Sequence, residues 1–445
     1  MSQTQTTPTG PTDPRELLKS RSYLALVLFG ALIGVPVSVV AYFFLKFVAE
    51  SQHWVFSSLP KAIGFSSAPV WWPILPLALS GLLVALSIQY LPGESGHKPA
   101  EGFKAGGPVD PRDLFGIVVA SLATLCLGAV LGPEAPLIAI GSGLGVLTVH
   151  LVKKDAPATA AMVVGGAGSF AAVSTLLGSP IVGAFLLIEA VGIAGPMLGV
   201  VLVPGLLAAG VGSLLFVGLN QWTGFGTFSL SIGKIPPFKS PTGAEFLWAI
   251  AIGVVAALLG MCIKRLGLFL QPIIESRKVA FTPIVGVAIA VTVVAFAEIT
   301  GKPGSFVLFS GQDALPNLVE HAAAWSLGAL VLLAVAKGLA YGLSLSSFRG
   351  GPVFPGMFIG ATIGIALSQL PGLPLVAGVG MGIGAMTVSM LGLPMVSVLL
   401  AALLLSADGI ALTPLIIVAV VVAYIASARL GPAPGAPVPA IDSAP

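Results

Sequence analysis

The sequence predicts an all-α polytopic membrane protein made of two similar halves of tilted and broken helices. Three observations carry that prediction. First, 56% of the residues are hydrophobic and only 8% are charged, with a mean hydropathy of +1.04, a balance foreign to water-soluble globules. Second, apolar stretches long enough to cross a bilayer with ~20 residues of helix follow one another along the chain. Gly and Pro interrupt many of them, which is tolerable at membrane depth only where the freed backbone is buried in protein or lines a cavity. Third, one pattern occurs twice. Gly132-Pro133-Glu134-Ala135-Pro136 runs on through Ile140, Gly141 and Gly145, and Gly351-Pro352-Val353-Phe354-Pro355 runs on through Ile359, Gly360 and Gly364. Both read G-P-x-x-P-x-x-x-I-G-x-x-x-G. A second pair follows each copy, Gly178-Ser179-Pro180 and Gly392-Leu393-Pro394. Matching Gly/Pro interruptions in two halves mark a transporter of structural repeats, with its binding site where broken helices meet.

Taken in order, residues 1–22 are expected to be a disordered cytoplasmic N-terminus. Residues 1–14 are rich in Thr, Pro and Gln, and Arg15, Lys19 and Arg21 precede the first apolar stretch, which favours an inside location. That stretch lacks a signal peptide's short core and cleavage site, so it reads as a retained helix. Candidate spans fall at 23–48, 70–90, 114–131, 136–152, 159–175, 180–195, 197–218, 245–270, 280–299, 324–343, 353–370, 374–391, 394–407 and 410–427. Several are too short to cross alone and read as half-helices. The first repeat is assigned to 23–218, a connecting loop to 219–244, the second repeat to 245–427 and a disordered, Pro/Ala-rich tail to 428–445. No soluble regulatory domain is expected.

A net charge of +3 with basic residues in loops gives no reason to expect nucleic acid. Cys126 and Cys262 stand in apolar segments at a spacing suited to neither zinc nor redox chemistry and read as inert thiols. His53, His97, His150 and His321 are scattered, so no metal site, cofactor or enzymatic activity is expected. Gly165, Gly166, Gly168 and Gly183 read as small residues that let helices approach closely. Lys337 either lines a vestibule or snorkels to the interface. Lys264 to Lys278 reads as a helix end and a loop joining the halves.

The repeated loops carry the chemistry. A helix N-terminus offers unpaired N–H groups and partial positive charge, so it attracts anions. Proline suits the first turn, where its missing donor is no loss. Two such N-termini converging at mid-membrane would hold a small dehydrated anion; the plainer alternative is two capped helices in a bundle. Glu134 stands where the second copy has Val353. A carboxylate in membrane sequence is a functional hypothesis by default. At a positive helix terminus it can compete with a permeating anion, and protonation would release the site. The bland alternative is an exposed first-turn Glu that complements the helix dipole.

These residues carry a resemblance to the CLC chloride channels and chloride/proton exchangers, over nearly all of 23–427. Gly132-Pro133-Glu134-Ala135-Pro136 is similar to the family's G-[KR]-E-G-P signature, with Glu134 at the external gating glutamate. Arg349-Gly350-Gly351-Pro352-Val353-Phe354-Pro355 resembles the G-x-F-x-P signature. Glu94-Ser95-Gly96-His97-Lys98-Pro99 resembles the G-S-G-I-P loop, with Ser95 at the serine that coordinates the central anion. The resemblance implies a CLC-type inverted repeat, a homodimer with one pathway per subunit, a bacterial inner (plasma) membrane location and chloride as substrate. The implied anion-binding residues are Ser95, Gly96, Gly132, Pro133, Ala135, Gly351, Val353 and Phe354. Lys98, Arg349 and Tyr424 are further candidates, Tyr424 as the late tyrosine.

The departures matter too. Pro133 replaces the usual basic residue, Ala135 the following Gly, and Pro352 removes one backbone donor. Lys98 falls where the family's Pro would align; it raises local anion concentration or belongs to a solvated loop. The acidic residue after Pro180 is Glu189, whereas the position matching the exchangers' internal proton glutamate is Ala190. Glu189 relays protons or forms a structural ion pair. Two readings therefore stand. One is an anion transporter gated by Glu134 with possible proton exchange, and the other a passive gated chloride channel. Transport of fluoride, nitrate or bicarbonate is a further alternative. Ser95 and the lack of an Asn-containing selectivity loop speak against fluoride.

Overall fold

The structure, a computed structural model, describes residues 19–103, 107–192, 196–224, 240–405 and 408–431, with 232 and 238. Of the expected disordered ends, 1–22 and 428–445, residues 1–18 and 432–445 lie outside the described residues, as does half of the 219–244 loop; helix already begins at Arg21 and runs on to Leu430, so both expected boundaries fall inside helices. Among the described residues fifteen helices form the fold: α1 Arg21–His53, α2 Ile74–Tyr90, α3 Leu114–Cys126, α4 Glu134–Val152, α5 Ala158–Leu177, α6 Pro180–Val191, α7 Pro196–Thr223, α8 Gly243–Ser276, α9 Lys278–Thr300, α10 Ala314–Glu320, α11 Leu327–Ser347, α12 Val353–Ser368, α13 Leu375–Leu391, α14 Pro394–Leu404 and α15 Gly409–Leu430. A π turn, Trp54–Ser58, carries α1 on to Ala62. Among the described residues eight are long and apolar enough to cross a membrane: extended α1, α4, α5, α7, α8, α9, α11 and α15. The shorter apolar helices, α2, α3, α6, α12, α13 and α14, fit the expected half-helices.

The repeated punctuation acts as expected. α4 begins at Glu134 and α12 at Val353, each directly after its Gly-Pro pair. Gly178 and Gly392 end α5 and α13 in the left-handed region (φ 63° and 71°), and Pro180 and Pro394 open the next helices. Only glycine takes that conformation without strain. The expected span at 114–131 is shorter: α3 stops at Cys126, and Gly128 has φ 104°. Hydropathy cannot register a backbone turn inside an apolar run.

The chain divides into two compact units. One holds residues 1–47, 104–118 and 134–229, the other 48–103, 119–133 and 230–445. In the first, α5 is buried along most of its length and packs against α4, α6 and α7. Gly141 and Gly145 of α4 allow the approach, since a methyl group there would strike the backbone of Gly168 and Val164. Ser169 Oγ then donates to Ile138 O at 3.0 Å across the same contact. Gly165, Gly168 and Gly183 are close-packing positions as expected. Gly166 is not, because its nearest neighbour, Val201 Cγ1, stands at an ordinary 3.5 Å.

In the second unit, α13 holds the corresponding place, buried among α12, α8, α14 and α15. Gly360 and Gly364 of α12 meet the carbonyls of Gly382 and Gly378. The I-G-x-x-x-G half of the repeat therefore does the same work twice: it brings the motif helix into backbone contact with the helix that follows. α2 and α9 close in the same manner, through Gly81 on Thr282 and Gly286 on Leu77.

Candidate functional site

The two motif loops pair backbone to backbone. Gly132 N–H donates to Gly351 O at 2.7 Å, and Gly351 N–H donates to Gly132 O at 2.6 Å. This isolated bridge sits two residues before the start of α4 in one case and of α12 in the other. A side chain at Gly350 would bring its Cβ to 2.6 Å from Leu131 Cβ, so glycine is needed for the loops to touch. Gly132, Pro133, Gly351, Val353 and Phe354 are all buried, and Ala135 is half-buried. Glu134, the first residue of α4, is fully buried. That removes the bland reading of an exposed first-turn glutamate.

A polar stripe on α11 braces the bridge. Lys337, Tyr341 and Ser344 stand at i, i+4 and i+7, on one face of a mainly apolar helix. Ser344 Oγ accepts from Val130 N–H at 3.0 Å, and Tyr341 Oη donates to Pro352 O at 3.0 Å. One hydroxyl thus holds each arm of the bridge. Thr124 Oγ1 accepts from Arg349 N–H at 3.2 Å. Lys337 is fully buried and neither lines a vestibule nor snorkels. Its Nζ donates to the carbonyls of Phe306 (3.2 Å), Leu308 (2.8 Å) and Phe309 (3.0 Å), and lies 4.6 Å from the ring centre of Phe358. Phe309 N–H in turn donates to Gly128 O at 3.3 Å, tying the 306–309 turn to the first loop. Sequence reading singled out Lys337 but missed Tyr341, Ser344 and Thr124. For Tyr341 and Ser344 the signal was their spacing from Lys337 on one helix face; Thr124, on α3, had none.

Ser95 lies in a run of positive φ: Gly93 71°, Glu94 49°, Ser95 59° and Gly96 94°. Two non-glycine residues in this region cost about 1 kcal/mol or more each, and such strain accumulates where a backbone must be presented in one way. Ser95 is 1% exposed, and its Oγ is 3.0 Å from Ser87 Oγ. Arg349 Nη2 donates to Glu94 O at 3.3 Å. The structure therefore brings the serine loop, Arg349 and the Gly132–Gly351 bridge into one connected set within the second unit. Lys98 forms an ion pair with Glu275 at 2.7 Å, and Gln271 Nε2 donates to Glu275 and Glu101 at 3.1 and 3.4 Å. Glu189 is half-buried near the end of α6. Tyr424 lies on α15 with 43% of its surface exposed.

The second unit also holds a vestibule of about 950 Å³. Gln52, His53, Lys61, Glu298, Lys302 and Phe309 are among its walls. Its lysines, Lys61 and Lys302, are matched by two carboxylates, Glu298 and Asp313. Among the described residues no cluster of His, Cys, Asp and Glu could hold a metal ion.

A membrane-spanning helical fold with paired Gly-Pro loops and a buried carboxylate at a helix start defines an ion-transport protein of the CLC class. The family described as Voltage gated chloride channel matches residues 98–428, and the chain belongs to it. The chain is 28% identical over 361 residues to "Putative ion-transport protein YfeO" of Escherichia coli O17:K52:H18, covering 80% of this chain and 82% of that protein. The protein of the same description from Salmonella paratyphi A is 29% identical over 358 residues, with 78% and 82% covered. Among solved structures, a slow cyanobacterial Cl⁻/H⁺ antiporter superposes with a TM-score of 0.74 at 18% identity, over 91% of this chain and 95% of that one. A CLC-type fluoride/proton antiporter gives 0.68 at 21% identity, over 92% and 96%. The fold is therefore the CLC fold, and the chain is an integral membrane protein.

Proposed function

We propose that this protein carries chloride across a bacterial inner membrane, through a pathway lined by Ser95, Gly96, the Gly132–Pro136 loop and the Gly351–Phe354 segment. Glu134 is its gate. The observation that carries this reading is the pairing of the two motif loops, joined to a fully buried Glu134 at the first residue of α4. A carboxylate at that place complements the positive helix end when ionised and leaves it to an anion when protonated. Chloride on the site and a proton on Glu134 thus favour each other, which is the elementary requirement for exchange. No cofactor is needed, and the unit of assembly is taken to be a homodimer in the bilayer.

A second reading, a passive gated channel, rests on Ala190 beside Glu189: the inner proton acceptor implied by the resemblance is missing from its place. Chloride flux from proteoliposomes with simultaneous pH recording separates the two. Proton movement against its own gradient, driven by chloride, establishes exchange. Chloride flux without coupled protons establishes the channel, and no chloride flux above that of empty liposomes refutes both.

A further inference from the structure

Arg349 has hydrogen-bonding capacity that the fold leaves unused. It is 6% exposed, on the loop between α11 and α12. Its Nη1 donates to the neighbouring Phe348 O and its Nη2 to Glu94 O, both at a long 3.3 Å. Its Nε is buried and donates to nothing. It has no ion-pair partner among the described residues: Glu275, Glu94 and Glu101 act on it only through space, and Glu275 is already held by Lys98. Two residues upstream, Ser347 is 5% exposed, and its Oγ is likewise buried without a partner.

A guanidinium withdrawn from water is tolerated when its donors meet acceptors, preferably anionic ones. The carbonyls of Phe348 and Glu94 supply only part of that. The donor left over is Nε–H; with an Nη2–H it makes up one edge of the guanidinium, whose two parallel donors are spaced to meet two oxygens of one planar group. A spherical halide presents one acceptor centre to the same fork and gains less from its geometry. The position is also specific: the carbonyl that takes Nη2 belongs to Glu94, the residue bonded to Ser95. An anion at the Ser95 hydroxyl would therefore lie beside this charge.

We propose that Arg349 is a specificity-determining anion ligand next to Ser95, with Ser347 Oγ as an additional donor, and that the site favours small planar oxyanions of the nitrate and bicarbonate type over halides. This assignment rests on the reading that Ser95 lines an anion pathway. A purely structural rivet would need neither a buried Nε without an acceptor nor, two residues upstream, a buried serine hydroxyl without a partner.

The test uses the full chain in liposomes, with nitrate and chloride as probes, each alone and in competition. The wild type moves both and prefers nitrate. Arg349→Lys keeps the charge but loses the fork; it weakens nitrate about tenfold, the effect of one charge-assisted hydrogen bond, and leaves chloride within about twofold. A parallel fall in both anions, or an unchanged ratio, overturns the assignment. If the lysine variant fails to assemble, calorimetric titration of the detergent-solubilised wild type and of Ser347→Ala decides. Nitrate binding no tighter than chloride in the wild type, or unaltered preference in the serine variant, refutes the proposal. A wild type that moves chloride without nitrate preference sinks this inference alone; one that moves neither anion sinks the pathway reading beneath it.

Discussion

Lys337 shows at the residue scale how a membrane fold can use a basic side chain that pairs with no carboxylate among the described residues. Three backbone carbonyls and a phenyl face surround its Nζ, so it serves as a cap for the 306–309 turn, where the N–H groups of a regular helix are missing. Replacing it by methionine keeps the length and removes the donor. The buried Leu308 carbonyl would then lose a partner, at roughly 1–3 kcal/mol before relaxation, and the partly buried carbonyls of Phe306 and Phe309 would lose theirs at less. Lys337→Met is expected to unfold several degrees earlier in detergent, by thermal scanning of intrinsic fluorescence. An unchanged midpoint would show that those carbonyls find other donors. The sequence made Lys337 conspicuous but could not reveal its partners, which lie 28 to 31 residues away in a turn with no spacing rule. Glu134, Ser95 and Arg349 were legible for a different reason: each sits in or beside a Gly/Pro loop whose interruption of an apolar run already asks for an explanation. Tyr341 and Ser344 were less so: a serine hydroxyl in an apolar helix most often bonds its own backbone, as Ser344 also does at Ala340 O, and a tyrosine among apolar residues reads as core.

At the scale of elements, the repeat explains itself through packing. In both motif helices the two glycines of I-G-x-x-x-G abut the backbone of the next helix, so the pattern that repeats in sequence repeats as a contact. Gly141→Ala and Gly360→Ala should each lower the yield of monodisperse protein and its unfolding temperature, since the added methyl meets a carbonyl of Gly168 or Gly382 rather than a yielding side chain. Gly166→Ala should be tolerated or slightly stabilising, because its neighbour is at 3.5 Å and alanine favours helix. Equal behaviour of the three variants in size-exclusion chromatography would contradict this account. Helix starts were readable from proline and helix ends from Gly178 and Gly392. The end of α3 was not, since Val130 and Leu131 prolong the apolar run past the turn at Gly128.

For the whole molecule, composition and interruption were enough to indicate a polytopic helical membrane protein, and the family match over 98–428 agrees with the motif order. What a single sequence could not supply is coupling, because that depends on where protons enter and not on which fold encloses the anion. Ala190 is the place to ask. Ala190→Glu is expected to raise the ratio of protons to chloride moved, if an inner carboxylate limits proton transfer. An unchanged ratio would mean that protons already enter through Glu189 or water.

The central claim is that one buried carboxylate both blocks the anion path and carries the proton. Chloride flux through Glu134→Gln, measured in proteoliposomes across a range of pH against the wild type, addresses it most directly. Glutamine mimics the protonated gate, so the account predicts chloride flux that survives and no longer varies with pH. Flux that keeps the wild-type pH dependence would take Glu134 out of the mechanism.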